Sequence, residues 1–320
     1  MAHILVTGGG GFIGLAVCRA LAARGDRATA LDVAISPGLA ALAGSGANVR
    51  AVQGELLEWP RVAELFRADR PDAVIHCAAI VGVLHSVRAP MATMRVNVEG
   101  SLTLLEAMRL HGVRRMIHIS SEETYGDFQA PVIAEDHPQN PVMAYGVSKL
   151  AVEHLARSYR AIYGTETIHL RTSWVYGPGL PRLRVPRTFI DAALDGRAFH
   201  LAGGAEMRVD HTFIDDVVNG ILRALDLPAH PFDAYNLSSG AAVSLAEIAA
   251  MVNELVPGAR VSVGPGEYSH GDLGGLAVPG VRKGALAIGR ARDTFGYVPR
   301  YDMRRGLTAS IARERAARGG

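Results

Sequence analysis

The stretch His3-Ile-Leu-Val-Thr7-Gly-Gly-Gly-Gly11-Phe-Ile-Gly14 decides the fold. His3 to Thr7 is a short apolar run closed by glycines, which predicts a buried strand of a parallel sheet. Residues 12–24 repeat their apolar side chains at helical spacing and stop at Gly25. A glycine cluster is informative in this context, where a strand turns directly into a helix. Gly8 allows the tight turn, Gly11 lets backbone approach a pyrophosphate, and Gly14 permits close packing of helix on strand. Phe12 and Ile13 open the helix, whose N-terminal N–H groups and partial positive charge suit phosphate.

Outward from this turn, residues 28–32, 48–53, 73–77, 116–120 and 167–171 read as further strands. Helices are predicted over 59–68, over 91–111, and from Tyr145 and Lys149 to about residue 163. Strands alternating with helices at this spacing predict an α/β fold, a Rossmann-type doubly wound parallel sheet. After Trp174 the rhythm breaks at Pro178, Gly179, Pro181 and Pro186, and helices resume near 187–195, 216–225 and 244–255. The glycine-rich stretch 264–284 is either a functional loop or a tolerated surface insertion. The expected organisation is a dinucleotide-binding region, 1–173, interleaved with a smaller substrate-capping region, 174–320.

Asp32 closes the second strand, placed for its carboxylate to accept from both ribose hydroxyls of adenosine and to repel a 2′-phosphate. Val33 and Ala34 follow, with no arginine to welcome that phosphate. NAD is therefore expected over NADP. Further along, Tyr145-Gly-Val-Ser-Lys149 sets a phenol and an ammonium four residues apart, on one face of a helix. Free tyrosine titrates near pH ~10, and a nearby cation favours its phenolate. Lowering that pKa by about three units takes roughly 4 kcal/mol of differential stabilisation.

The whole chain narrows the function classes. Its 320 residues are 49% hydrophobic and 20% charged, ordinary for a globular protein with a sizeable core. Thirty-three basic and 31 acidic residues leave a net charge of +2, with no basic block before the C-terminal arginines, so neither nucleic acid nor an anionic membrane is an expected partner. Cys18 and Cys77 form no C-x-x-C motif and the 12 histidines show no ligand spacing, so no disulfide framework or metal site is expected. A reducing cytoplasm suits such a chain. No leader or transmembrane run is read at the N-terminus or beyond.

The glycine turn, His76-Cys-Ala-Ala79, Val96-Asn-Val-Glu-Gly100, Ser120-Ser121, Tyr125-Gly126, the Tyr145/Lys149 pair and Val175-Tyr-Gly-Pro178 together resemble the extended short-chain dehydrogenase/reductase family. Within it, the sugar-nucleotide epimerase/dehydratase branch is the closer match. The resemblance spans nearly the whole chain and is strongest from Met1 to Pro178. It implies that Glu55 and Leu56 flank adenine, with Glu55 where the family usually has Asp. Cys77, Ala78 and Ala79 would line the ribose and phosphate path, Asn97 would prop active-site backbone, and Ser173 would lie near the nicotinamide. A homodimer through helices around 91–111 and 145–163 is implied as well.

The same resemblance makes Ser121 the hydroxyl that contacts a substrate oxygen, Tyr145 the base and Lys149 the group that binds nicotinamide ribose and lowers the tyrosine pKa. Glu122 and Glu123 depart from simple 4-epimerases, which carry small or hydroxyl residues here, and resemble the acidic pair of dehydratases. Elimination needs both a base and an acid, and two close carboxyls can divide those tasks. Glu122 could instead be structural. Trp174 stands where the family has an asparagine on the substrate phosphate, and Val209 where it has an arginine. Arg208 could compensate by a local shift, and Trp174 offers a stacking face or an N–H donor. Arg182, Arg184, Arg187 and Arg282 are further cations able to hold phosphate or carboxylate. These features imply an NAD-dependent epimerase or dehydratase acting on a sugar nucleotide. The alternatives are a net dehydrogenase of a free sugar acid or small hydroxy acid, and a catalytically silent NAD-binding regulator.

Overall fold

β1 (His3–Thr7) is buried at every position, as a strand covered on both faces must be. The structure is a computed structural model that describes residues 1–266, 268 and 280–319. β1 turns into α1 (Phe12–Ala23), followed by β2 (Arg27–Asp32), α2 (Pro37–Gly44), β3 (Val49–Gln53), α3 (Trp59–Asp69) and β4 (Ala73–His76). Next come α4 (Val83–Arg88), α5 (Pro90–Met94), a π turn at Arg95–Glu99 and α6 (Gly100–His111). β5 (Arg115–Ser121) runs into a 3-10 turn at Glu122–Thr124, then β6 (Val132–Ile133), α7 (Ala144–Tyr163), β7 (Glu166–Thr172) and β8 (Trp174–Tyr176). The rest of the chain supplies α8 (Arg187–Leu194), β9 (Ala198–Leu201), β10 (Arg208–Phe213), α9 (Ile214–Asp226), β11 (Ala234–Leu237), β12 (Ala242–Ser244), α10 (Leu245–Leu255), β13 (Arg260–Val263), β14 (Ala285–Leu286), α11 (Gly289–Phe295) and α12 (Met303–Gly319).

The main sheet has the strand order β11-β7-β5-β4-β1-β2-β3. β1 pairs in parallel with β2 on one side and β4 on the other, so the winding reverses at the strand that carries the glycine turn. At such a reversal the carboxyl ends of the strands open a crevice for ligands. Leu104, Leu105 and Met108 of α6 pack with Val62 and Phe66 of α3 against Val74 and Met116 of the sheet, all 0% exposed. At roughly 25 cal/mol per Å² of apolar surface, this burial dominates what holds the helices on the sheet.

Two compact units divide the chain. One comprises 1–126, 138–171 and 218–235, and the other 127–137, 172–217 and 236–320. Within the second, β10 pairs in parallel with β8 and antiparallel with β12. β13 pairs with β9, and β14 with β6, both in parallel. α10 starts on a capping box, in which Ser244 and Glu247 each accept from the other's backbone N–H.

Two expectations are corrected. The helix expected over 91–111 is continuous from Pro90, but a π turn widens it at Arg95–Glu99, which the expectation lacked. The break expected from Trp174 is a strand first, β8, since Trp174 and Tyr176 are buried against β10. Most of the glycine-rich stretch 264–284 lies outside the described residues.

Candidate active site

The glycine turn shows why these positions lack side chains. Gly8 has φ of +68°, and a methyl group there would lie 2.7 Å from the Ala78 nitrogen. One at Gly14 would lie 2.0 Å from the Gly8 carbonyl oxygen, so α1 could not reach β1. Gly11 caps α1 with no side-chain hydrogen bond and no acidic residue in the first turn. The N–H groups of that turn are therefore left for an outside acceptor. Asp32 accepts from the Gly10 N–H at 2.9 Å, so its carboxylate holds the turn from the next strand. An anion-ready helix start beside a carboxylate at the end of β2 fits the pyrophosphate and ribose of a dinucleotide.

β4 delivers Cys77 and Ala78 beside this turn, with the Cys77 N–H on the Thr7 carbonyl at 3.0 Å. Asn97, 2% exposed on the π turn, accepts from the Ile80 N–H at 2.7 Å and donates to the Ile80 carbonyl at 3.1 Å. Its amide thus engages the backbone beyond β4. Leu56 is buried in the core cluster, and Glu55 is exposed.

β5 and α7 assemble the chemical groups. Tyr145, Lys149 and Glu153 recur every four residues on α7, and all three are buried. Lys149 donates from Nζ to the Ile119 carbonyl at 2.7 Å. Burial pulls its pKa down from the usual lysine value to about 8. Ser121 caps the 3-10 turn, its Oγ accepting from the Glu123 N–H at 3.2 Å. Glu122 is 1% exposed and Glu123 half-buried. A methyl group on Gly146 would stand 2.4 Å from the Glu123 carbonyl oxygen, so the missing side chain lets this turn close directly on the helix beside Tyr145.

Several residues here carry functions that composition and spacing did not assign. Glu153 pairs with Arg171 at 2.7 Å in the interior and accepts from Ser120 Oγ at 2.7 Å. Arg171 in turn donates to the Tyr125 hydroxyl at 2.9 Å. Burial works against the Glu153 carboxylate, yet Arg171 and its hydrogen bonds hold its pKa down to about 2. This network grips the β5 turn on both sides of Ser121, Glu122 and Glu123. Its sequence signal was Glu153, one helical turn beyond Lys149.

Ser173, Trp174, Arg187 and Arg208 belong to the second unit. Ser173 donates from Oγ to the Asp210 carbonyl at 2.5 Å. Trp174 is 7% exposed and does not offer an open stacking face, because the Arg184 guanidinium lies over its ring, 3.7 Å from the centroid. Across the β8/β10 pairing Trp174 neighbours His211, with ring centroids 5.5 Å apart. Arg187 bridges to Asp191 at 3.1 Å, Arg208 to Glu247 at 3.2 Å, and Arg282 to Asp127 at 2.8 Å. The latter two are exposed pairs, which contribute little stability and yield readily to a ligand, while Arg187–Asp191 is half-buried. Asp210, fully buried, accepts from the backbone N–H groups of Ser239, Gly240 and Leu286 at 3.0–3.2 Å. Among the described residues, no cluster of three or more His, Cys, Asp or Glu could hold a metal ion.

The model of the NAD dependent epimerase/dehydratase family matches residues 4–238. The chain is 31% identical to a UDP-glucose 4-epimerase of Mycolicibacterium smegmatis over 314 residues, 96% of each chain. It is also 31% identical to a dTDP-glucose 4,6-dehydratase of Streptomyces griseus over 319 residues, 97% of this chain and 93% of the relative. Among solved structures, the UDP-glucose 4-epimerase of Thermotoga maritima with UDP-glucose superposes with a TM-score of 0.86 at 26% identity, covering 98% of this chain and 99% of that one.

Proposed function

The chain belongs to the NAD-dependent epimerase/dehydratase family, and from that premise we propose that it converts a sugar nucleotide through a transient keto intermediate. The observation that carries this reading is the packing of the Ser121-Glu122-Glu123 turn on Gly146, next to Tyr145 and one turn from Lys149. NAD, when bound, supplies the hydride acceptor and later the donor. The residues that fit it are the glycine turn with Phe12 and Ile13, Asp32 at the ribose, and Cys77, Ala78 and Ala79 alongside. Asp32 and the absence of a neighbouring arginine favour NAD over NADP.

Tyr145 takes the proton of a sugar hydroxyl, with the Lys149 cation one helical turn away. Ser121 accepts from Glu123 through Oγ, which leaves its O–H to hold a substrate oxygen. Glu122 and Glu123 sit in different surroundings, one buried and one half-buried, the condition under which paired carboxyls divide acid and base roles. They would serve a second proton transfer once the keto group forms, which inclines the reading toward a dehydratase. Residues 1–173 would hold NAD, and 174–320 would hold the substrate through Trp174, Arg187 and Arg208. Arg184, presented on Trp174, is a further anion contact.

A second reading, a net dehydrogenase of a free sugar acid, is favoured by one observation: Trp174 and buried Val209 stand where the family keeps its phosphate contacts. A silent regulator is disfavoured by the complete Ser121/Tyr145/Lys149 set. We also infer a homodimer, because Met91, Leu110, Ile162 and Tyr163 expose 79%, 52%, 66% and 48% of their surface on α5, α6 and α7. A cytoplasmic setting suits the two free cysteines, and among the described residues no helix is long and apolar enough to cross a membrane.

Replacing Tyr145 by Phe tests the reading. Turnover of the sugar nucleotide should fall by orders of magnitude with NAD affinity retained. Turnover at the level of the unaltered protein would remove Tyr145 from the mechanism. Glu123→Gln should spare the first hydride transfer and arrest a later step, visible as one equivalent of NADH held on the enzyme with no product released.

A further inference from the structure

His76 on β4, His118 on β5 and His169 on β7 form a buried row across three neighbouring strands. His76 stacks on His118 with centroids 5.5 Å apart, and His118 meets His169 edge-on at 5.3 Å. The Nδ1 atoms of His118 and His169 are 3.0 Å apart. On its other side, His118 Nε2 lies 3.5 Å from Lys149 Nζ. Both nitrogens of His76 are occupied, by Thr7 Oγ1 at 2.7 Å and Ser101 Oγ at 2.8 Å.

Donors and acceptors give this row a direction. An ammonium only donates, so His118 Nε2 must offer its lone pair and its proton must sit on Nδ1. That N–H faces His169 Nδ1, which must therefore accept, and His169 carries its own proton on Nε2. His169 Nε2 is buried with no partner among the described residues, so nothing there competes for the tautomer and the His118 contact alone sets it. The imidazoles stay neutral, since burial holds all three below the usual histidine pKa, with the Lys149 charge adding to the effect at His76 and His118. The groups around Lys149 are His118 from β5, His76 from β4 and Cys77 just beyond it, and Tyr145 and Glu153 from its own helix.

We propose that His118, pinned in its Nδ1–H tautomer by His169, is a positioning residue of the hydride-transfer centre: its Nε2 accepts one Lys149 proton and keeps that ammonium charged and aimed. This rests on Lys149 acting with Tyr145 as described above. The Ile119 carbonyl fixes a second ammonium proton, which leaves the third for the ribose or the phenol. Losing the Nε2 acceptor would leave a buried cation with one contact fewer and favour its neutral form.

The sequence contains two lysines, Lys149 and Lys283, so a side-chain ¹⁵N or ¹³C lysine spectrum has two signals, and Lys283→Arg assigns them. The titration of Lys149 is followed in the full chain saturated with NAD. His118→Phe should move its midpoint about one pH unit toward acid, roughly tenfold in proton affinity. His118→Gln, whose carbonyl oxygen accepts, should restore most of that difference. A folded His118→Phe protein in which Lys149 titrates as in the unaltered chain would overturn the proposal. Should the variants not fold, ¹⁵N histidine spectra of the unaltered protein decide: a protonated Nδ1 with a bare Nε2 on His118 supports it, and a protonated Nε2 overturns it. Neither readout needs a substrate, so failure here is distinct from failure of the sugar-nucleotide reading.

Discussion

Asn97 Nδ2 donates to Ser148 Oγ across 2.9 Å, which ties the π turn to the helix that carries Tyr145 and Lys149. Ser148 passes the link on, donating to the Tyr145 carbonyl at 2.7 Å. With its two bonds to Ile80, one amide side chain therefore joins the backbone beyond β4 to the first turn of α7. Replacing Asn97 by Ala leaves the half-buried Ile80 N–H and carbonyl without this partner, at a cost of about 1–3 kcal/mol. Urea unfolding should show this loss together with a drop in turnover. Asn97→Asp keeps the acceptor and loses both donors, so it should fall between the two. Equal stability of Asn97→Ala and the unaltered protein would contradict the role.

Asp32 holds the Gly10 N–H, and in the proposed cofactor site it also meets the ribose. Asp32→Asn keeps an acceptor for Gly10 but removes the charge that repels a 2′-phosphate. The protein should fold normally, bind NAD more weakly and lose much of its preference over NADP. Calorimetric titration with both cofactors gives the ratio, and an unchanged ratio would assign the preference elsewhere.

Glu153 makes stability sensitive to acid. Its carboxyl is held at about 2 in the folded chain, against about 4.3 unfolded. A depressed pKa contributes stability that is complete above the unfolded value and is lost as pH falls through the folded one. Melting temperature should therefore drop between about pH 4 and pH 2. Glu153→Gln leaves Arg171 buried without its counter-charge, and breaking such a pair costs about 3–5 kcal/mol. In that variant the acid-side loss should shrink, because the group responsible is gone. An unchanged acid limb in Glu153→Gln would place the sensitivity on another carboxyl.

Much of the first compact unit was legible because its signals are local. The strand-glycine-helix turn, Asp32 at the end of β2 and the Tyr145/Lys149 spacing each lie within a few residues of what they position. The π turn was not legible, because the periodicity of 91–111 reads as continuous helix and only packing shows Asn97 turned onto Ile80 and Ser148. The short strands β8, β10 and β12 were missed for a related reason: each is a few residues long and exists through its partners. Glu153 with Arg171, and His118 with His169, pair across 18 and 51 residues, distances at which spacing carries no information. The arginines expected to gather an anion each read as a cation in sequence. Only the fold shows Arg187, Arg208 and Arg282 engaged with Asp191, Glu247 and Asp127.

In the proposed reaction, hydride leaves the substrate and returns within one catalytic cycle. The most direct measurement mixes the purified protein with NAD and a panel of UDP- and dTDP-hexoses and free sugar acids, following absorbance at ~340 nm, the reduced-nicotinamide band, while products are separated. The expected result is epimerised or dehydrated nucleotide sugar with no net accumulation of NADH. Steady NADH accumulation with a free sugar acid, and no change in any nucleotide sugar, would contradict it.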